Sequence, residues 1–279
     1  MARSLPLVAA LLVAFCASTA SADDAKHGKD TKGTTSSKDA PHGAADVPVP
    51  MNQCVAAGPQ APRDISKHEG NNKVLFSQTP ELAKMHLCNV HFHRFAEHRA
   101  SAYSIFVEDG EHSGWACQQP PPRHAPRDDH EVYEGCAGVA PGDTIEAHWV
   151  YTTCDLTAKG VKPLGGGLQG CMTESCANPQ LRVEAQVFLL AENGTVRFNG
   201  SAPVTSDEGA VRYTGSTTGP KFSNKHCSPL QVSWSVRPTC TPLNIHDFAK
   251  WCATNKYQEK HGHGVRELVT KPELLSPIK

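Results

Sequence analysis

Cys88-Asn89-Val90-His91-Phe92-His93-Arg94-Phe95-Ala96-Glu97-His98 is the stretch from which the rest of this chain can be read. In a β-strand, side chains at i and i+2 point to the same face, about 6–7 Å apart. His91 and His93 then converge on one side while Phe92 packs on the other. Two imidazoles so placed can bind one metal ion, with Zn–N distances of about 2.0–2.1 Å. A third ligand must come from another strand, and Glu146-Ala147-His148-Trp149 offers His148. Three neutral histidines with one open position make a catalytic zinc geometry, whereas a structural site is closed by four protein ligands. A single histidine on an apolar strand is ordinarily a core residue. Two histidines flanking a phenylalanine, with Glu97 and His98 behind them, read instead as a metal centre on His91, His93 and His148. A liganding histidine passes its second ring N–H to an acceptor. Asn89 and Glu146 each stand two residues before a ligand and so on its face; with His98 they are the candidate supports.

Outward from this stretch the pattern stays strand-like. Lys73 to Ser77 is a short apolar run, and Leu87 to Phe95, Thr144 to Thr152 and Leu181 to Leu190 alternate as half-buried strands do. Arg197 to Gly200, Val211 to Tyr213 and Leu230 to Val236 continue the series. Pro- and Gly-rich loops separate them at Gln118 to Pro126, Ala140 to Asp143 and Gly165 to Gly167. The helix expected is short, Ile245 to Thr254, with Asn244 able to cap its start. The fold class read from this is a mostly β single domain, with a central, largely antiparallel twisted sheet and a few short helices.

The ends read differently. Arg3, the apolar stretch Leu5 to Phe15 and the small residues Ala20-Ser21-Ala22 make residues 1–22 a secretory signal. That stretch is too short to span a bilayer, and no later segment is apolar enough to try. Residues 23–50 hold almost no large apolar side chains and read as a disordered leader, with His27 and His42 as solvated linker residues. The domain is expected over 51–257, followed by a C-terminal tail, 258–279. Eleven cysteines are present. Without Cys16, the remaining even number, scattered and lacking any Cys-x-x-Cys, points to disulfides in an oxidising compartment. The protein is therefore expected to be exported, periplasmic or secreted. A net charge of −1 with no basic cluster argues against nucleic acid as a partner.

Several motifs together resemble carbonic anhydrases of the alpha class and, more closely, the delta class. His91-x-His93 is followed by Glu97-His98 after a short gap, as in the compact delta-type pattern, and then by Glu146-x-His148-Trp149. Gln60-Ala61-Pro62-Arg63-Asp64-Ile65 resembles an alpha-class segment near the N-terminus. Tyr213-Thr214-Gly215-Ser216-Thr217-Thr218-Gly219-Pro220 resembles the loop with paired threonines, and Cys227-Ser228-Pro229-Leu230-Gln231-Val232-Ser233-Trp234 the strand that follows it. The matches run in order from about residue 54 to 240, with divergent sequence between them.

The resemblance implies an alpha-carbonic-anhydrase-like fold and a small-molecule substrate: zinc-dependent reversible hydration of carbon dioxide to bicarbonate by a zinc-bound hydroxide. It makes His91, His93 and His148 the Zn2+ ligands, Thr218 the gatekeeper hydroxyl with Thr217 as alternative, and Glu97 the carboxylate that orients it. It also implies a Cys54–Cys227 disulfide. Two other readings stand beside it. His91-x-His93-x-x-x-Glu97 fits the first motif of a cupin, in which Glu97 is a fourth ligand to iron or manganese; Ser104 then stands where glycine is expected. A zinc-binding protein of the same fold without turnover is the other. In that reading Glu184 and Gln186 make the pocket face of their strand polar, and no histidine is placed as a proton shuttle, His68 and His86 being surface residues.

Overall fold

A computed structural model of the chain describes residues 54–118, 132–165, 167–217 and 221–278. The expected signal segment and leader, most of the Gln118 to Pro126 loop, and Thr218 lie outside the described residues. The strands are β1 (His86–Arg94), β2 (Tyr103–Val107), β3 (Gly114–Cys117), β4 (Val132–Tyr133), β5 (Cys136–Ala137), β6 (Thr144–Thr152), β7 (Leu181–Ala191), β8 (Val211–Thr214) and β9 (Val232–Asn244); the helix α1 is Ile245–Thr254. The main sheet has the order β1-β6-β7-β9-β8, and β2-β3 and β4-β5 form two small hairpin-like pairs. All neighbours in the main sheet are antiparallel except β7 and β9, which run parallel. The protein is a mostly β single domain with a mixed sheet.

β6 and α1 have the bounds expected from alternation and capping, and the Asn244 side chain accepts from the Asp247 amide at 2.9 Å. Other expectations fail. The apolar run Lys73 to Ser77 joins no ladder: Leu75 is 92% exposed, because no neighbouring strand is present to cover it. Arg197 to Gly200 is likewise not a strand, only Val196 making an isolated bridge to Leu243. β9 runs well past Val236. A proline discourages strand assignment because it cannot donate to the ladder. Here Pro238 falls where the register against β7 slips between Ala185 and Val187, so the strand carries it.

Register decides what each face of the sheet carries. His91 pairs with His148, His148 with Ala185, and Ala185 with Val236. One residue along each strand, on the opposite face, the row is Val90, Trp149, Glu184 and Ser235. The histidine face thus continues into apolar Val183, Ala185, Val187, Trp234 and Val236, all buried in one core cluster. The other face packs Phe92, Ala147, Trp149, Phe188 and Leu190 against Ile245, Phe248 and Ala249 of α1, with the Phe92 and Phe248 rings 5.0 Å apart edge to face. Glu184 and Gln186 therefore do not lie on the histidine face. Glu184 is instead buried in an ion pair with Arg182 and Arg237.

Five cysteine pairs stand at disulfide distance: Cys54–Cys227, Cys88–Cys171, Cys117–Cys240, Cys136–Cys252 and Cys154–Cys176. They use every cysteine except Cys16 and are consistent with an oxidising environment. No helix among the described residues is long and apolar enough to cross a membrane. Residues 258–278, expected as a tail, pack along the domain, with Val265, Arg266, Val269, Leu274 and Leu275 buried.

Candidate metal centre

β1 and β6 lie side by side in antiparallel register, so the pairing of His91 with His148 brings all three histidines to one point. Their ring centroids are 5.2 Å (His91–His93), 5.1 Å (His91–His148) and 4.7 Å (His93–His148) apart. One nitrogen from each lies within 4.8 Å of the others. A tetrahedral ion with Zn–N bonds of 2.0–2.1 Å needs nitrogens about 3.3 Å apart, a spacing that lies inside this bound.

The remaining ring nitrogens are engaged. His91 Nδ1 lies 2.6 Å from Asn89 Oδ1, His93 Nδ1 3.0 Å from the Gly264 carbonyl, and His148 Nε2 3.0 Å from Glu146 Oε1. This leaves Nε2 of His91 and His93 and Nδ1 of His148 for an ion. Burial, reinforced by repulsion among the neighbouring imidazoles, holds His91 and His93 well below the usual histidine range. Both are therefore neutral and able to donate a lone pair. His93 and His148 are buried, and His91 is only partly open. The donor set fits zinc: three imidazoles, each oriented by an acceptor.

Glu146 holds the centre together. Its Oε1 faces His148 Nε2 and, at 2.6 Å, His98 Nδ1. Its Oε2 accepts the backbone N–H of Glu97 at 2.6 Å and of His98 at 3.1 Å. Those two amides reach it because the chain turns sharply after β1 at Phe95, whose φ of +65° is the left-handed conformation that bulky residues rarely adopt. Burial alone would raise the Glu146 pKa, but His98 and His148 outweigh it and hold the carboxylate well below the usual range. Burial would lower His148, yet the hydrogen bond and charge of Glu146 raise it, making it a better electron donor. Behind His98 its Nε2 lies 2.7 Å from the Tyr213 hydroxyl.

Glu97 is buried beside the centre, its Oε1 accepting from the Arg266 amide at 3.2 Å and lying 3.7 Å from His93 Nδ1. That is the nitrogen turned away from the shared point, and Glu97 is not among the groups whose ligand atoms converge. Its Oε2 has no hydrogen-bond partner among the described residues. Burial pushes its pKa up, partly offset by His148. Thr217 Oγ1 is buried and without a partner among the described residues.

Three of the quoted motifs meet around Gln60. Its Oε1 accepts from the Ser228 amide at 2.8 Å, its Nε2 donates to the Ser228 carbonyl at 3.2 Å, and Gln60 bridges Ser216. Cys54 and Cys227 are paired nearby in sequence. Arg266 locks this junction, its guanidinium donating to the carbonyls of Ala61 and Ser216 and to Gln60 Oε1. Burial lowers its pKa to about 10, so it stays charged near neutrality.

Sequence reading missed the wall that residues 259–266 build beside the ligands. His263 stacks edge-on to His91, centroids 5.2 Å apart, and its Nε2 lies 2.6 Å from Glu259 Oε2. Glu259 Oε1 is 3.4 Å from Asn89 Nδ2. The available signal was His261-Gly262-His263, a second His-x-His.

Fold and site together define a β-sheet protein with a candidate three-histidine metal site on one face of its central sheet. Residues 82–247 match the family model described as Delta carbonic anhydrase. That is more than half of the chain, and the protein belongs to the delta carbonic anhydrase family. No curated protein matches the chain. Family membership sets the cupin reading aside.

Proposed function

We propose that this chain is an exported zinc enzyme that hydrates carbon dioxide reversibly to bicarbonate. The observation carrying this reading is the convergence of one ring nitrogen each from His91, His93 and His148, with each ring fixed by Asn89, Gly264 or Glu146 through a nitrogen. Zinc supplies a nucleophile near neutral pH by lowering the pKa of a coordinated water from about 16 to about 7.

The protein's own residues supply the rest. Val183, Ala185, Val187 and Val236 continue the histidine face as buried apolar core, so the sheet beside the centre carries no competing charge. Glu97 has one oxygen held by the Arg266 amide and the other available to accept from a hydroxyl. Thr218 is the proposed source of that hydroxyl, with Thr217 as the neighbouring alternative. Ionised Glu97 accepts a hydrogen bond from the threonine hydroxyl, which leaves the threonine oxygen as an acceptor and selects one orientation of the incoming nucleophile. A dication in the histidine cage favours the ionised form of Glu97 against the effect of burial.

Thr218→Ala tests the assignment. Zinc content is expected to stay unchanged, while hydration measured by stopped flow falls at least about ten-fold, as loss of a supporting hydrogen bond typically costs. Unchanged turnover removes Thr218 from its role and leaves Thr217 to be tested in the same way.

A further inference from the structure

The turn and loop after β7 carry Asn193-Gly194-Thr195 and Asn199-Gly200-Ser201. Each is an Asn-x-Ser/Thr acceptor sequence with a residue other than proline in the middle. We propose that Asn193 and Asn199 are N-glycosylation sites that place two glycans on the side of the sheet away from the metal centre. This rests on the reading that the chain is exported through an oxidising compartment.

Several structural features favour these acceptors. Asn193, Thr195, Asn199 and Ser201 are all exposed. Asn193 lies in the tight turn closed by the Gly194 amide on the Ala191 carbonyl at 3.2 Å. The residue between acceptor and threonine must be small there, since a Cβ on Gly194 would stand 2.4 Å from the Leu243 carbonyl carbon. In the second site the Asn199 side-chain oxygen accepts the Ser201 amide at 2.9 Å, which holds acceptor and hydroxyl residue close together. No hydrogen bond engages Nδ2 of either asparagine among the described residues.

The backbone beneath is firmly held. Asn199 accepts from Trp149 Nε1 at 2.9 Å, and the Phe198 amide donates to Asp247 at 2.9 Å while its ring is buried against α1. The glycans are thus presented from an anchored segment. Trp149 points to the face opposite His148, and Ala185, which pairs with His148, is separated from Ala191 by roughly 20 Å of strand at 3.3 Å per residue. Sugars here have a route to solvent without crossing the metal face.

The chemistry is a group transfer. The asparagine Nδ2 displaces diphosphate from the anomeric carbon of a polyprenyl-diphosphate-linked oligosaccharide, catalysed by the secretory transferase. A C–N bond forms, the C–O bond to diphosphate breaks with its electron pair leaving on the diphosphate, and one amide proton is lost to base.

The test expresses the full chain with its own leader in a eukaryotic secretory host and treats the secreted protein with peptide-N-glycosidase. Two mobility steps are expected to collapse, with Asn193 and Asn199 each recovered as Asp by peptide mass spectrometry. Asn193→Gln and Thr195→Ala each remove one step and Asn199→Gln and Ser201→Ala the other, while CO2 hydration is unchanged by deglycosylation. Secreted, disulfide-bonded protein with both asparagines unmodified overturns the proposal, and a single occupied site overturns it for the other. If the chain stays cytosolic behind its own leader but is glycosylated behind the host's leader, the export reading fails and the acceptor assignment stands.

Discussion

Two buried carboxylates a few ångströms from the same histidines behave oppositely. Glu146 is held below the usual range by His98 and His148, while Glu97 is raised by burial. A depressed carboxylate contributes stability above its unfolded pKa, and that contribution is lost as pH falls through the lower folded value. Metal-free protein is therefore expected to lose urea stability steeply below about pH 4, and Glu146→Gln to flatten that loss, at a cost of roughly 1–3 kcal/mol at neutral pH for the partners it disturbs. Glu97 has the reverse sign: its contribution is present below the unfolded pKa and disappears as pH rises through the raised folded value. Glu97→Gln is thus expected to leave metal-free stability at pH 7–8 equal to or above that of the wild type, while lowering hydration at least about ten-fold. A drop in both together would mean that Glu97 is a structural anchor instead. Asn89 and Glu146 could be read as supports because strand alternation puts them on the ligand face. The acceptor for His93 could not, because it is the backbone carbonyl of Gly264, contributed from a distant segment and carrying no side-chain signature.

Elements with a strong local signal were legible, and those defined by tertiary context were not. β6 alternates over its whole length between two cores, and α1 has a cap, so both could be bounded from sequence alone. Lys73 to Ser77 has the same local composition as a strand but finds no partner, and β9 has one despite its prolines. The pocket face of β7 also depended on register: slipping by one residue would exchange Ala185 for Glu184. Because α1 packs on the face opposite the histidines, its cap bears on stability alone. Asn244→Ala is expected to lower unfolding free energy by about 0.5–2 kcal/mol, measured by denaturant titration, with zinc content and hydration rate unchanged. A loss of hydration would mean that the helix and the metal face are coupled through the sheet.

Across the whole molecule, the centre is assembled from parts far apart in sequence. β1 and β6 supply the ligands, the loop after β8 lies against Gln60, and residues 259–266 close the wall behind His91 and His93. Cross-links such as Cys54–Cys227 and Cys117–Cys240 tie distant segments, which restricts the unfolded chain. The family match stops at residue 247, yet Gly264 and Arg266 lie beyond it and touch the centre. Fold class and the three histidines were readable because alternation and short spacing encode them; the closing wall was not, because its contacts are long-range. The most direct test is to measure metal content and stopped-flow CO2 hydration on the same purified mature protein. About one zinc per chain is expected, together with hydration above the uncatalysed rate that a sulfonamide abolishes and that is lost on chelation and restored by zinc. Stoichiometric zinc with hydration no faster than buffer would contradict the account.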